Sequence, residues 1–327
     1  MNQDIFSSTH TAQLLLKDFT SQKLSHAYLI TGEEGSGKFT LASAFAQLLL
    51  CESPNGNTPC GQCACCTYFE SFDSHPNVTI LSTENKASIS VKDVRDMTDG
   101  AYTAPYIGTK KIYIIKNADK MTQQAQNALL KMIEEPPEHA IFFLLASSRY
   151  AMLTTVISRC RCIAMTPYNK SALTRILTEK APELSPDEYK DFINRCQGNP
   201  GRLITSLSDD DGIRATVLSS ANALIKNDME TLLDSVQSID SRESALKYIY
   251  QLNEIIRDAC IYKLFDGNSL TFNSDKQELI SSIAEVADLK RIVKFLERIS
   301  DTQKMLNGNV SYLLCLKSLL LKWYFTN

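Results

Sequence analysis

The sequence predicts an α/β fold with a parallel β-sheet in its N-terminal half, followed by an all-helical C-terminal half. The first observation is a glycine-rich turn, Gly32 to Lys38, between an apolar run and a helical pattern. The second is a series of short apolar runs that alternate with helical segments as far as Met165. The third is that every apolar stretch from Leu224 to Tyr324 has helical period.

The composition is that of a globular chain of two or three domains. The 327 residues are 44% hydrophobic, and 34 basic and 37 acidic side chains give a formal net charge of −3. This nearly balanced charge does not indicate a general nucleic-acid-binding surface, so DNA contacts are expected to be local or supplied by partners. We see no signal peptide and no apolar run of membrane-spanning length, and we expect a cytoplasmic protein.

The turn from Gly32 to Lys38 has the spacing of a phosphate-binding P-loop. Glycines such as Gly35 and Gly37 let phosphate oxygens approach successive backbone N–H groups, and Lys38 would add a charge at the β- and γ-phosphates. A predicted strand, Tyr28 to Thr31, precedes the turn and a helical stripe follows it, which is the context that the motif requires. The alternative is a structural glycine turn.

Three residues at two places in the chain depart from the pattern of an ATPase. Phe39 stands where Ser or Thr would ligate Mg²⁺, and Thr40 comes one residue late, about 100° further round the helix. The buried run Lys110 to Ile115 is the expected Walker B strand, but it ends in Lys116-Asn117 instead of an acidic pair. Asp119 would hold the loop or cap the next helix rather than act in catalysis. We therefore predict that the chain does not hydrolyse ATP.

Four cysteines with the spacing of a zinc site follow the P-loop helix, namely Cys51, Cys60, Cys63 and Cys66. Two C-x-x-C steps and a cysteine upstream can surround one tetrahedral Zn²⁺, which would be structural because no position is left for water. Cys65 is a fifth thiol and leaves the ligand set open. A redox pair or reactive surface thiols are alternatives. His75 lies beyond the set and is expected to be a turn histidine.

The rest of the N-terminal half continues the alternation of helices and strands. Thr122 to Glu135 is predicted to be a helix, and Ile141 to Ala146 a buried strand. Ser147 and Ser148 follow this strand, where they would sense a γ-phosphate or only form a turn. A short helix, Ala151 to Val156, leads to Ser158-Arg159-Cys160. An arginine in such a turn is often a solvated charge or a helix C-cap partner, and its place in the strand–helix order leaves room for a second role.

The sequence predicts three domains: a P-loop domain at 1–166 with the cysteine module at 51–66, a small helical lid at 167–207 and a helical domain at 208–327. The acidic run Ser208 to Gly212 is the candidate linker. The predicted C-terminal helices are Leu224 to Val236, Ala245 to Tyr262, Glu278 to Ala287, Leu289 to Met305 and Val310 to Tyr324. The last two carry no polar constellation, which favours packing or subunit surfaces over a cofactor site.

These residues resemble the AAA+ clamp-loader family of bacterial DNA polymerase III over nearly the whole chain. The resemblance is carried, in the family's order, by HAYLITG, the cysteine module, NALLKMIEEPP, Ser158-Arg159-Cys160, GNPGR and LNGNVSYLLCLKSLLLKW. The cysteine module and the Ser-Arg-Cys element are the specific ones. A P-loop alone would indicate only a superfamily.

The resemblance implies an AAA+ module and a C-terminal collar that assembles with tau/gamma and delta subunits, and through them with the sliding clamp and primed DNA. It implies that Arg159 is an arginine finger acting in the ATP site of the adjacent tau/gamma subunit, and that Arg202 stands at the sensor-2 position. The expected protein is a non-hydrolysing accessory subunit of the polymerase holoenzyme, with structural Zn²⁺ and with ATP or ADP absent or weakly bound.

Two other candidate functions would require different residues in this sequence. An ATP-hydrolysing tau/gamma-like motor would have Ser or Thr in place of Phe39 and acids in place of Lys116 and Asn117. A zinc protein that binds DNA by itself would have a basic stripe beside the cysteines, and residues 51–70 contain no Lys or Arg.

Overall fold

The computed structural model describes residues 8–69, 75–83, 86–208, 211–265, 273, 276–306, 308 and 310–324. The chain divides into two compact units, residues 1–180 with 198–202 and residues 181–197 with 203–327. The division into three domains remains a prediction. Residues 209 and 210 of the candidate linker lie outside the described residues.

The first unit contains a five-stranded parallel sheet, which confirms the predicted α/β fold. The strands are β1 (Ala27–Thr31), β2 (Val78–Leu81), β3 (Lys111–Ile115), β4 (Ala140–Ala146) and β5 (Arg161–Ala164). Their order is β2-β3-β4-β1-β5, and every residue of β4 is buried. Because parallel strands end at the same edge, the loops after β1, β3 and β4 meet there.

Helices cover both faces of this sheet. They are α1 (His10–Thr20), α2 (Lys38–Leu50), α3 (Ala64–Tyr68), α4 (Val91–Thr98), α5 (Gln123–Glu134) and α6 (Thr154–Ile157). Helix α7 (Lys170–Lys180) follows β5 in the chain. Phe45 of α2 packs with Phe143 on one face, and Leu129 of α5 with Phe142 on the other. The side chain of Thr122 caps α5 by accepting from the N–H of Ala125, which fixes where that helix begins.

The predicted helix from Ala151 to Val156 is wrong in its bounds. A 3-10 turn at Arg149–Ala151 comes first, and α6 begins only at Thr154. The reason is local: Ser148 accepts from the N–H of Tyr150 and starts the turn, after which the extended Met152 is buried in the core.

The helices further along the chain are α8 (Pro186–Cys196), α9 (Pro200–Ser208), α10 (Asp211–Lys226), α11 (Met229–Ser235), α12 (Arg242–Leu264), α13 (Gln277–Val286), α14 (Leu289–Leu306) and α15 (Tyr312–Tyr324). The helix predicted from Leu224 to Val236 is two helices. Asn227 is left-handed, with φ 56°, and the side chain of Asp228 accepts from the N–H of Thr231 to cap α11. No described helix is long and apolar enough to cross a membrane.

Candidate functional site

The glycine-rich loop joins the end of β1 to the start of α2. Gly35 and Gly37 have φ of 76° and 81°, a left-handed conformation that side-chain-bearing residues rarely adopt. Helix α2 begins at Lys38 without a side-chain cap. Both glycines therefore use the backbone freedom for which the sequence pattern places glycine there.

The turn at Asn199 and Gly201 lies directly on this loop. The Gly201 N–H donates to the carbonyl of Gly35 at 2.8 Å, and Asn199 Nδ2 donates to the carbonyl of Glu34 at 2.9 Å. A Cβ on Gly201 would lie 2.3 Å from Gly35 Cα, so the contact requires glycine. Protein groups hold the loop in its shape.

Lys38 and Arg202, the two cations predicted at the nucleotide site, both bind oxygen atoms of the glycine-rich loop. Lys38 Nζ donates to the carbonyls of Gly32 and Glu33 at 2.6 and 2.7 Å, and Arg202 Nη2 donates to Glu33 Oε2 at 2.7 Å. Burial lowers the pKa of Lys38, while the nearby Asp119 opposes that shift. Arg202 thus reaches the P-loop, where it forms an ion pair.

Phe39 and Lys116, two of the three residues that depart from the ATPase pattern, contact each other. Lys116 Nζ lies 3.9 Å from the centroid of the Phe39 ring. An ammonium this close to an aromatic face is attracted by the ring quadrupole. The next residue, Asn117, donates from Nδ2 to Thr83 Oγ1 at 2.9 Å.

Asp119 holds the loop that follows β3. Its carboxylate accepts from the hydroxyl of Ser147 and, at 3.3 Å, from the Ser147 N–H. It does not cap α5, because Thr122 does so. Ser148 serves the 3-10 turn that follows. Both serines at the end of β4 therefore have hydrogen-bond partners in the turn and the loop that follow the strands.

Arg159 lies in the turn between α6 and β5, with 39% of its side chain exposed. Its Nε is 2.6 Å from Glu134 Oε1 at the end of α5. Its Nη1 donates to the carbonyl of Thr155 at 3.1 Å and to Ser158 Oγ at 3.3 Å. The bond to Thr155 is the helix C-cap contact that the sequence left open.

The four cysteines with zinc spacing come together. The sulfurs of Cys51, Cys60, Cys63 and Cys66 all lie within 4.8 Å of one another. Sulfurs about 2.3 Å from a tetrahedral zinc are about 3.8 Å apart, and the Cys60 and Cys66 sulfurs are separated by 3.9 Å. The N–H groups of Gln62 and Cys63 donate to Cys60 Sγ and lower the pKa of that thiol to about 6. The cluster could therefore bind a metal such as zinc.

The fifth thiol and the histidine lie outside this cluster. Cys65 is buried with its sulfur 3.9 Å from Glu52 Oε1, and burial raises its pKa to about 11. His75 is buried and accepts at Nδ1 from the N–H of Asn77, while its ring packs against Phe69. Among the described residues, the only group that could hold a metal ion consists of these four cysteines.

A glycine-rich loop at the carboxyl edge of a five-stranded parallel sheet, with a cysteine cluster after the next helix, defines an α/β protein with a helical C-terminal region. A family model described as "DNA polymerase III, delta subunit" matches residues 7–169. DNA polymerase III subunit delta' of Escherichia coli is 28% identical over 86% of this chain and 83% of its own length. The chain belongs to the family of DNA polymerase III clamp-loader subunits.

Other relatives include both delta' and tau subunits. Subunit delta' of Haemophilus influenzae is 34% identical over 56% of this chain and 54% of its own length. Subunit tau of Bacillus subtilis is 35% identical over 49% of this chain, which spans only 28% of that relative's length. A gamma-subunit-related protein of Thermotoga maritima has the same fold, with a TM-score of 0.52 and 19% identity over 95% of this chain and 97% of its own.

Proposed function

We propose that the chain is a delta-prime subunit of the clamp loader, which does not hydrolyse ATP and donates Arg159 as an arginine finger to the ATP site of an adjacent tau/gamma subunit. The observation that carries the first half of this proposal is the contact between Phe39 and Lys116. The Ser-Arg-Cys turn with its exposed Arg159 supports the second half.

The Phe39–Lys116 pair opposes metal-dependent chemistry at the loop. An ATPase of this class places a hydroxyl and carboxylates around Mg²⁺, whereas here an aromatic ring and an ammonium stand at those positions. The ring offers no ligand, and the ammonium repels a divalent cation. Neither Lys38 nor Arg202 replaces the missing ligands, because both are cations.

The contacts of Asn199, Gly201 and Arg202 with the loop support the role of a rigid stator. They form between protein groups, so the chain itself supplies contacts that fix the shape of the loop. ATP or ADP would bind weakly and without metal. We assign the lid to 167–207 and a collar to 208–327, where the helices would assemble with tau/gamma and delta subunits.

Arg159 supplies the chemistry that this subunit contributes in trans. A guanidinium near a transferring phosphoryl group stabilises the charge that develops on its oxygens. Through the complex, ATP held by tau/gamma would open the sliding clamp around primed DNA in the cytoplasm. The four cysteines would hold a structural Zn²⁺, which ties residues 51–66 together and leaves no coordination position for water.

A tau/gamma-like motor is the second candidate, favoured by the identity with tau relatives. The two candidates differ in the metal dependence of nucleotide binding. We expect the affinity for ADP to change less than about twofold between Mg²⁺ and EDTA, because Phe39 and Lys116 leave Mg²⁺ without ligands. In the double variant Phe39→Thr/Lys116→Asp, Mg²⁺ should strengthen binding at least ~10-fold.

Isothermal titration calorimetry measures both affinities. Lys110→Asp is the matched control, because it makes the same charge change just before β3, at the opposite end of the strand from Lys116. Tight, Mg²⁺-dependent ADP binding by the unmodified chain would support the motor instead.

A further inference from the structure

The contacts of the Arg159 guanidinium use only some of its hydrogen-bond donors. Arginine carries five N–H donors. Glu134 Oε1 forms an ion pair at Nε, and Thr155 and Ser158 accept from Nη1. Among the described residues, no acceptor takes a hydrogen bond from Nη2. Two donors of a partly exposed guanidinium therefore remain for an anion that is not part of this chain.

Glu134 approaches Arg159 from a well-fixed element. It is the last residue of α5, whose Leu129 and Ile133 are buried in the core beneath the sheet. Thr155 and Ser158 are close to Arg159 in sequence, whereas Glu134 comes from another helix. The ion pair thus fixes the arginine relative to the body of the domain.

We propose that Glu134 is a positioning residue for the arginine finger: it orients the guanidinium of Arg159 so that Nη2 can meet the phosphates bound by the neighbouring subunit. This inference rests on the proposed finger role. Both side chains are about 40% exposed, at 39% and 43%, and surface ion pairs of this kind contribute little to stability. The ion pair acts on the orientation of the Arg159 guanidinium before the subunits dock rather than on stability, because a long flexible side chain loses rotamer freedom when it binds.

The opposite role for Glu134 would be a brake that neutralises Arg159. The two roles predict opposite changes in turnover when the carboxylate is removed. If Glu134 positions the finger, its loss lowers the turnover number and leaves KM for ATP unchanged, since the nucleotide binds to the other subunit. If it is a brake, its loss raises turnover.

The test is ATP hydrolysis by the full complex with tau/gamma and delta subunits, clamp and primed DNA. We expect Glu134→Ala to lower kcat about fivefold to tenfold with KM for ATP unchanged. Glu134→Gln keeps an oxygen beside the guanidinium and should retain more than about half of the activity. Glu135→Ala, at the next residue and without a contact to Arg159 in the structure, is the matched control and should have no effect.

A second comparison separates positioning from general damage to the domain. In an Arg159→Ala background, Glu134→Ala should cause no further loss, because there is no guanidinium left to orient. Additive losses, or a higher turnover in Glu134→Ala, would overturn the inference. If Arg159→Ala itself leaves turnover unchanged, the finger role fails and this inference fails with it. If Arg159→Ala lowers turnover and Glu134→Ala does not, only the positioning role fails.

Discussion

Arg159→Ala is expected to lower ATP hydrolysis by the assembled clamp loader at least ~10-fold, although an arginine finger is worth about 10³–10⁵ in turnover at a single site. The loss arises because the developing charge on the transferring phosphoryl group is no longer neutralised. A ~10-fold loss in the whole complex requires that its ATP sites act in one concerted cycle, because only the ATP site beside this subunit loses its finger. Assembly should stay intact, since Arg159 makes only surface contacts.

The measurement is steady-state ATPase activity together with gel filtration of the complex. Arg95→Ala provides a control, because Arg95 is an exposed arginine on α4 at another place in the same unit. A complex that contains Arg159→Ala, assembles fully and hydrolyses ATP at the normal rate would refute the finger role.

Cys63→Ser is expected to remove the metal and to lower the free energy of unfolding of the chain by at least ~2 kcal/mol. A structural zinc contributes its binding free energy to folding, and one lost thiolate breaks the set of four sulfurs. Metal content by mass spectrometry should be about one zinc per unmodified chain. Denaturant unfolding gives the stability.

Cys65→Ser tests which cysteines bind the metal, because the spacing in the sequence leaves Cys65 open as a ligand. Cys65 adjoins Cys66, yet its sulfur lies beside Glu52, so this variant should keep its zinc. Retention of metal in Cys63→Ser and its loss in Cys65→Ser would contradict the assignment. An unmodified chain that is purified without any bound metal would contradict the zinc site itself.

Local patterns in the sequence predict much of the fold. Strand β4 appears as an uninterrupted apolar run because both of its faces are buried, and α5 as an amphipathic helix that starts at a capping threonine. The four cysteines can be recognised because they lie within sixteen consecutive residues, 51–66. In such cases the structure follows from neighbours in the sequence.

Other features depend on contacts between distant residues, which no local pattern reveals. Phe39 and Lys116 meet because the loop after β1 and the end of β3 share one edge of the sheet. The contact of Asn199 with Glu34 joins residues 165 positions apart. Glu134 has no periodic signal, since a polar residue at a helix end is ordinary. The break at Asn227 did carry a local signal, because asparagine tolerates the left-handed conformation and Asp228 is a good cap.

We expect this chain to stimulate a neighbour's ATPase without hydrolysing ATP itself. The most direct test is ATP hydrolysis, with clamp and primed DNA, by the chain alone, by cognate tau/gamma and delta subunits without it, and by the full mixture. We expect no hydrolysis by the chain alone and a turnover in the full mixture at least ~10-fold above that of the mixture without it. ATP hydrolysis by the chain alone would contradict the roles assigned to Phe39 and Lys116 and would identify a motor.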